Sequence, residues 1–484
     1  MSLAPSFPTN IHAAPARAVL LACAMALTGC AQMPEREAPA SISTPGDYPA
    51  DTSFEAPIGI WPAADWWRSY GDSQLDALIG QALEHAPSVA AAEARMRQAA
   101  ATADTSAAAR SPQLAFDASV TAQKQSYNYL TPAEATPRGV EDYARATLDL
   151  SWNLDLWGRL RAGLAAATSE AEAARVDVAQ ARLMLSTAIA SAYAELARLY
   201  AALDTAKAAF DVRSKTAELM ARRLDNGLEI RGGVRQVDAR RATAASEVLA
   251  LQEQIALQRN RLAALAGAGP DRGLKLERPA AALLQAFAMP QRLSADLLGR
   301  RPDIVAARLR AEAAASRIEQ ARAAFYPDVN LVAFIGAQTL GIDMLARGGS
   351  SIGSIGPAIS LPLFDGGRLR AQLRGADAAY GQAVADYERT LVQALQEVAD
   401  AATSQRALAG QLARIGEAVE AARDAWRIQN ERYVGGLSNY LDVLSAEDIL
   451  IAALRSQSDL QSRGFSLDVA LVRALGGGHA TSRS

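Results

Sequence analysis

The chain has few of the residues on which metal, redox and disulfide chemistry depend. Its 484 residues include two cysteines and three histidines. Cys23 lies in a segment predicted to be removed, and the histidines are scattered along the chain at His12, His85 and His479. We therefore predict no disulfide, no metal site and no cofactor. The net charge of −3 gives no basic surface for nucleic acid, so no nucleic-acid partner is expected.

Long apolar runs and catalytic motifs are also missing. The only continuous apolar segment, Ala18 to Leu27, is too short to cross a membrane as a helix. The chain contains no lysine-bearing phosphate loop, no zinc-protease helix and no nucleophile elbow; the glycine-rich stretch from Gly348 to Gly356 lacks the lysine. The sequence therefore predicts that the protein is not an enzyme.

The apolar segment ends directly on Leu27, Thr28, Gly29 and Cys30, which resembles a bacterial lipobox. The resemblance implies that residues 1–29 are a lipoprotein signal peptide and that Cys30 carries diacylglycerol and further acyl groups such as palmitate. An ordinary signal peptide that happens to contain a cysteine is the alternative. Residues 30–60 are rich in Pro, Ser, Thr and Glu and predict an extended, lipid-anchored linker.

The body of the chain is an internal duplication. Two intervals recur to the residue, one of 25 positions between prolines and one of 68 between an arginine and a glycine: Pro87–Pro112 with Pro302–Pro327, and Arg159–Gly227 with Arg368–Gly436. The motif GRLRAGL, which begins at Gly158, also recurs as GRLRAQL from Gly367. We predict a first repeat over 61–275, a second over 276–475 and a disordered tail over 476–484.

Each repeat contains a stretch with the two-residue period of β-strands. Apolar and polar residues alternate in 113–157 and in 328–365, which predicts one β-hairpin in each repeat. Strands with one apolar and one polar face, flanked by aromatic residues, fit a membrane β-barrel with a wet interior, although a soluble amphipathic hairpin shows the same alternation. Four strands cannot close a barrel, so a membrane sheet requires several subunits.

After each hairpin comes a very long segment of strong helix formers. The segments 159–227 and 368–436 contain no proline, and 68 residues in one helix would extend over ~100 Å. Dense alanine allows close approach of helices that curve side by side into a tube. A bundle core or a long coiled coil is the alternative.

These residues resemble the outer-membrane factors, the TolC-like exit ducts, and specifically their NodT-type efflux lipoproteins. The matching stretches are LSADLLGRRPDIVAARLRAEAA from Leu293, FYPDVNLVAFIG from Phe325, ISLPLFDGGRLR from Ile359 and RYVGGLSNYLDVLSAEDIL from Arg432. The resemblance implies a mainly α fold with membrane β-structure. Three subunits of four strands each would form a twelve-stranded outer-membrane barrel, continuous with a long periplasmic α-helical barrel.

The same resemblance implies a passive channel in the cell outer membrane that extends into the periplasm. Its expected partners are two further copies of itself, a periplasmic adaptor (membrane fusion protein), an inner-membrane transporter of the RND type and outer-membrane lipid. The alternative from another class is a structural or adhesive trimeric lipoprotein with a helical stalk. A stalk predicts sustained heptads of large apolar residues, which the alanine-rich helices do not show.

The resemblance also assigns residues to the periplasmic gate. Tyr433, Leu441 and Asp442 are expected at the constriction, with Asp442 repeated in a ring of three carboxylates. The alternative for Asp442 is a carboxylate that favours a helix N-terminus. The turns expected to contact the adaptor comprise Gly227, Leu228, Gly436, Leu437 and Ser438.

The first turn looks longer than the second when glycine-to-aspartate spacings are compared. Gly227 to Asp238 is 11 steps, whereas Gly436 to Asp442 is 6. The additional residues include Arg231 and Arg235, which we identify as candidate gate partners of Asp442. A tolerated loop insertion is the alternative interpretation.

Overall fold

The computed structural model describes residues 41–44, 47–49, 54, 58–128, 134–280, 289–290 and 299–479. Cys30 and the signal peptide therefore lie outside the described residues. The described chain divides into two compact units. We call Gln98–Ala171 with Leu309–Ala385 the sheet unit, and Ile42–Arg97, Glu172–Arg308 and Asp386–Ser484 the helical unit.

The helices repeat in length between the two halves of the chain. The long helices are α1 (Ser73–His85), α2 (Pro87–Ala108), α3 (Arg159–Asp225), α4 (Arg231–Leu265), α5 (Pro302–Ala323), α6 (Arg368–Val434) and α7 (Tyr440–Ala474), and one short helix spans Asp271–Leu274. The pairs α2/α5, α3/α6 and α4/α7 contain 22, 67 and 35 residues each. Proline stands at the first position of α2 and of α5, where its missing N–H is not needed.

The sheet unit contains one antiparallel sheet of four strands. The strands are β1 (Gln113–Gln123), β2 (Glu141–Asn153), β3 (Asp328–Leu340) and β4 (Ser351–Ser360), paired in the order β1-β2-β3-β4. Phe116 lies opposite Leu148, and Leu148 lies opposite Ile335. Since directly opposed residues share a face, this register puts apolar side chains together on one face.

The two faces of the sheet differ sharply in polarity. The apolar face is strongly exposed, with Phe116 at 69%, Ile335 at 68% and Ile355 at 75%. The opposite face carries Asp117 opposite Thr147, and Arg145 opposite Gln338. An apolar face of this extent is a surface for lipid or protein rather than water.

Among the helices that the structure describes, none combines the length and the apolar character needed to cross a membrane.

The core of the helical unit forms where α1 packs on α3. Leu75, Leu78 and Ile79 recur at helical spacing on α1 and are fully buried against α3. Asp72 caps α1 by accepting the N–H groups of Gln74 and Leu75, at 2.9 and 3.0 Å. Its second oxygen accepts the Tyr193 hydroxyl of α3 at 2.8 Å, which ties the helix start to the core.

Parts of the predicted linker and tail contact the helical unit. The Ser43 hydroxyl donates to the Glu388 carboxylate at 2.5 Å, and Tyr48 and Phe54 pack against a buried cluster on α6. At the other end, Gly476–His479 continue from α7 in a turn that packs on the body, whereas the predicted disordered tail begins at residue 476. Residues 480–484 lie outside the described chain.

Candidate functional site

The two helical turns have the same backbone geometry. The N–H of Gly227 donates to the Leu224 carbonyl at 2.9 Å, and that of Leu228 to Arg223 at 2.8 Å. The second turn repeats both bonds, from Gly436 to Tyr433 at 3.0 Å and from Leu437 to Arg432 at 2.8 Å. Gly227 and Gly436 have φ of 72° and 73°, a conformation that favours glycine and ends each long helix.

The prediction of a longer first turn is wrong. α4 begins at Arg231 and α7 at Tyr440, each four residues past its glycine. The apparent difference arose because Asp238 was matched to Asp442, whereas Asp238 lies inside α4. Counted from the glycines, Gly233 is the residue that corresponds to Asp442.

The start of the second returning helix is capped, and that of the first is not. The side chain of Asn439 accepts the Asp442 N–H at 3.1 Å, and Asp442 is acidic in the first turn of α7. The corresponding residue before α4 is Ile230, which makes no side-chain cap, and the first turn of α4 contains no acidic residue. Asp442 therefore lies where a carboxylate also favours the helix dipole, as the alternative interpretation expected.

Tyr433 is the centre of a small apolar cluster that joins all four helix ends. It is 4% exposed and packs with Met220 of α3, Val237 of α4 and Val443 of α7. Its hydroxyl donates to the Met220 sulfur at 3.4 Å, and the Arg223 guanidinium lies 4.8 Å from the ring centre. Burial raises the pKa of Tyr433 despite the nearby arginine. The hydroxyl therefore stays protonated and available as a donor.

The other predicted gate and turn residues are mostly exposed. Leu441 is 58% exposed and Asp442 is also exposed, while Leu228 and Leu437 reach 64% and 74%. Ser438 is half-buried. Exposed leucines at both turns form an apolar surface that a single subunit leaves uncovered.

The two candidate gate partners do not meet Asp442 within one subunit. Arg235 forms its ion pair with Asp238, at 3.6 Å along the same helix. Within the described part of the chain, Arg231 forms no ion pair and Asp442 forms none either.

A series of ion pairs along α7, which the sequence analysis missed, holds this helix against α3 and α4. Arg213 of α3 reaches Glu447 at 3.4 Å and Asp448 at 3.1 Å, and Arg240 of α4 reaches Asp448 at 2.7 Å. Two further pairs follow along α7, between Arg455 and Glu247 and between Asp459 and Arg198. We call the three ion pairs among Arg213, Arg240, Glu447 and Asp448 the latch.

The latch contains a carboxyl group with an altered proton affinity. Glu447 is 2% exposed, and burial raises its pKa, an effect that Arg213 partly offsets. Asp448 beside it raises the pKa further, and Arg240 lowers it. The nearby Tyr440 hydroxyl is buried, and its pKa is raised by burial and then by Glu447. The charge of the latch therefore depends on pH.

Comparison with known proteins places the chain among efflux proteins. The family model described as "Outer membrane efflux protein" matches residues 78–268 and 293–477. The multidrug resistance outer membrane protein MdtP of Escherichia coli is 31% identical over 94% of both chains. The fusaric acid resistance protein FusA of Burkholderia cepacia is 35% identical over 77% of this chain and 72% of its own.

Solved structures agree with the sequence comparisons. The outer membrane protein VceC of Vibrio cholerae is 50% identical, with a TM-score of 0.82, and the match covers 86% of this chain and all of VceC. The outer-membrane channel OprN is 29% identical, with a TM-score of 0.82, over 93% of this chain and 99% of its own. The predicted fold class and the predicted function as an outer-membrane efflux channel are confirmed.

These relatives decide against the alternative of an adhesive stalk, and the family consists of efflux channels rather than enzymes. Such channels form homotrimers and work in tripartite systems with adaptors and inner-membrane pumps. The outer membrane is the location that the relatives support. The chain belongs to the outer membrane efflux protein family.

Proposed function

We propose that this chain is the lipid-anchored exit duct of a tripartite efflux system, closed at its two helical turns and opened by an adaptor. The observation that carries the proposal is the sheet with one apolar and one polar face. In a membrane, the apolar face meets lipid and the polar face lines a wet passage. The energy for export then comes from the inner-membrane transporter, which we expect to be of the RND type.

The sheet also explains why the duct needs several copies of the chain. β1 pairs only with β2, and β4 only with β3, among the strands that the structure describes. Each open edge would leave backbone N–H and C=O groups unpaired in lipid, at a cost of several kcal/mol for each group. Pairing β1 of one copy with β4 of the next satisfies both edges, and three copies of four strands supply twelve.

The gate that we propose combines the Tyr433 cluster with the latch. Opening requires the α6–α7 hairpin to move away from α3 and α4, and this movement breaks the contacts of Tyr433 with Met220 and of Arg213 with Glu447. Both contacts are buried, so they favour the closed arrangement until a partner that binds the open one shifts the equilibrium.

The exposed leucines of the two turns are the surface that we assign to the adaptor. Leu228 and Leu437 are each more than half exposed, as is Ile230 beside the first turn. Apolar side chains at the end of a helical hairpin suit a protein partner that covers them in the assembled system. At the constriction, Leu441 would contribute an apolar side chain and Asp442 one carboxylate for each subunit, which together form a ring.

The test is single-channel recording from purified trimers in planar bilayers, with Asp442→Ala as the variant. Removing three carboxylates from the axis should raise the conductance or lower the preference for cations. Asp386→Ala is the control, because Asp386 is an exposed carboxylate of α6 that pairs with Arg389 away from the turns. An unchanged recording for Asp442→Ala would remove this residue from the gate.

A further inference from the structure

The duplicated GRLR motif lies at the two strand-to-helix junctions of the sheet unit, and the channel function leaves it unexplained. One copy follows β2 and begins α3 with Arg159 and Arg161, and the other follows β4 and begins α6 with Arg368 and Arg370. Positive side chains in a first turn oppose the helix dipole. Helix formation therefore does not explain why four arginines occur in these two corresponding first turns.

The helix ends themselves do not supply that reason, since aspartates already occupy them. Asp155 accepts the N–H groups of Leu160 and Arg161 at 2.8 and 2.9 Å. Asp365 accepts those of Gly367 and Leu369, at 2.9 and 2.8 Å. The positive charge that remains available at the junctions therefore belongs to the arginine side chains.

An aromatic group marks the same level of the sheet unit. The rings of Trp157 and Tyr326 stack with their centres 4.8 Å apart, and both residues remain 51% and 43% exposed. The Trp157 indole N–H donates to the Pro327 carbonyl at 2.9 Å, which fixes the ring. Phe364 in the other junction is 93% exposed. Exposed aromatic rings at the end of a lipid-facing sheet are typical of the membrane–water interface.

The apolar face of the sheet leads directly to this aromatic group. The alternation that puts Trp152 on the apolar face continues to Leu154 and Leu156, which are 38% and 58% exposed. Trp157 comes next, and Arg159 and Arg161 follow within four residues. Apolar, aromatic and basic side chains thus succeed one another in the order of acyl chain, interface and headgroup.

A cavity of about 600 Å³ lies at the junctions, between the aromatic pair and the basic residues. Its lining includes Trp157, Tyr326, Arg159, Arg317, Arg368 and Gln372. The acidic residues of the lining are engaged, because Asp155 caps α3 and Asp328 accepts from Arg159 at 3.1 Å. Arg161 pairs with Asp155 at 3.6 Å, but its side chain is still 61% exposed. Arg370 is exposed and forms no ion pair among the residues that the structure describes.

We propose that the two GRLR junctions bind the headgroup phosphate of an anionic phospholipid in the periplasmic leaflet of the outer membrane. Arg161 and Arg370 supply the charge, while Trp157, Tyr326 and Phe364 hold the interface at that level. Guanidinium groups bind phosphate through paired N–H donors. An anionic lipid suits them better than a zwitterionic one, because the ammonium group of a zwitterionic headgroup cancels the charge of its own phosphate. The proposal rests on the outer-membrane channel function, because only a membrane-spanning sheet places these residues at a leaflet.

The test is native mass spectrometry of detergent-purified trimers titrated with equal amounts of phosphatidylglycerol and phosphatidylethanolamine. Wild type should retain phosphatidylglycerol preferentially. The double variant Arg161→Gln with Arg370→Gln removes one arginine from each junction and should lower that binding by roughly fivefold at each site. Arg389→Gln with Arg414→Gln is the matched control, because it removes the same charge from exposed arginines of α6 in the helical unit.

Salt separates headgroup binding from simple acyl contact. Raising the salt concentration should weaken the preference for phosphatidylglycerol, since exposed charges are screened, whereas apolar contact would persist. Equal retention of the two lipids by wild type, or equal losses in the junction variant and the control, would overturn the proposal. Bilayer conductance of the same samples tests the channel function separately, because conducting trimers without lipid preference would refute this site alone.

Discussion

Replacing Gly476 by alanine tests the packing of the C-terminal turn on the helical unit. Gly476 has φ of 88°, and a Cβ built there would lie 2.2 Å from the carbonyl oxygen of Arg300. A left-handed conformation costs about 1–2 kcal/mol for alanine, and the overlap adds about 1–3 kcal/mol because the neighbour is backbone. We therefore expect the local stability of the turn to fall by about 2–5 kcal/mol.

Hydrogen exchange, measured on peptides from the end of α7, reports the loss of local stability at the turn itself. The Leu475 N–H donates to Leu471 at 2.9 Å and should be strongly protected in wild type. A loss of about 2 kcal/mol or more should accelerate its exchange at least roughly 25-fold. This measurement reports local opening, so it is independent of how stable the assembled trimer is.

Gly71→Ala is the control that separates backbone strain from overlap. Gly71 has φ of 69° in the same helical unit, and nothing lies within 4 Å of the Cβ position. The Gly71→Ala variant should lose only the conformational part of the local stability, about 1–2 kcal/mol. The loss is measured at the amide of residue 71, which donates to the Arg68 carbonyl at 3.0 Å. Equal effects of the two substitutions would refute the reasoning, because they would mean that the turn does not pack on Arg300.

Three further changes test the gate and the anchor. Arg213→Ala leaves Glu447 buried without its ion-pair partner, which should destabilise the closed state by about 3 kcal/mol. The open probability in bilayers should therefore rise. An unchanged recording would exclude the latch from gating. The pKa of Glu447 is raised above its ordinary value of 4.5, so the closed state should be most stable below that value and lose stability as pH rises through the raised pKa. Opening should then increase over that pH range in wild type and lose this dependence in Glu447→Gln. Cys30→Ser should abolish metabolic labelling by palmitate, and persistent labelling would place the lipid on another residue.

The strands and long helices could be predicted because their signals are local. The register that puts Phe116, Leu148 and Ile335 on one face is the same alternation that is visible in the sequence. The recurring interval of 68 residues from Arg159 and from Arg368 corresponds to two helices of 67 residues each. Strong helix formers without proline leave few alternatives to such helices.

The latch could not be predicted, because its partners are far apart in a chain rich in charged residues. Arg213 and Glu447 are separated by 234 positions, and many other arginines and glutamates of similar helices point to water. Only tertiary packing decides which pair is buried. The Tyr433 position was expected from the family resemblance, but its contacts with Met220 and Arg223 depend on how the helix ends meet.

The error at the first turn has a different cause and shows how the two repeats have diverged. The turns have equal length, but the Asn439 cap and the Asp442 carboxylate of the second are matched by Ile230 and Gly233 in the first. A helix cap contributes about 1 kcal/mol, and a glycine in place of another residue weakens a helix by about 0.5–1 kcal/mol. The start of α4 is therefore locally weaker than that of α7 by about 2 kcal/mol. Identical turn geometry thus coexists with unequal local stability, although both hairpins contribute residues to the Tyr433 cluster and to the latch.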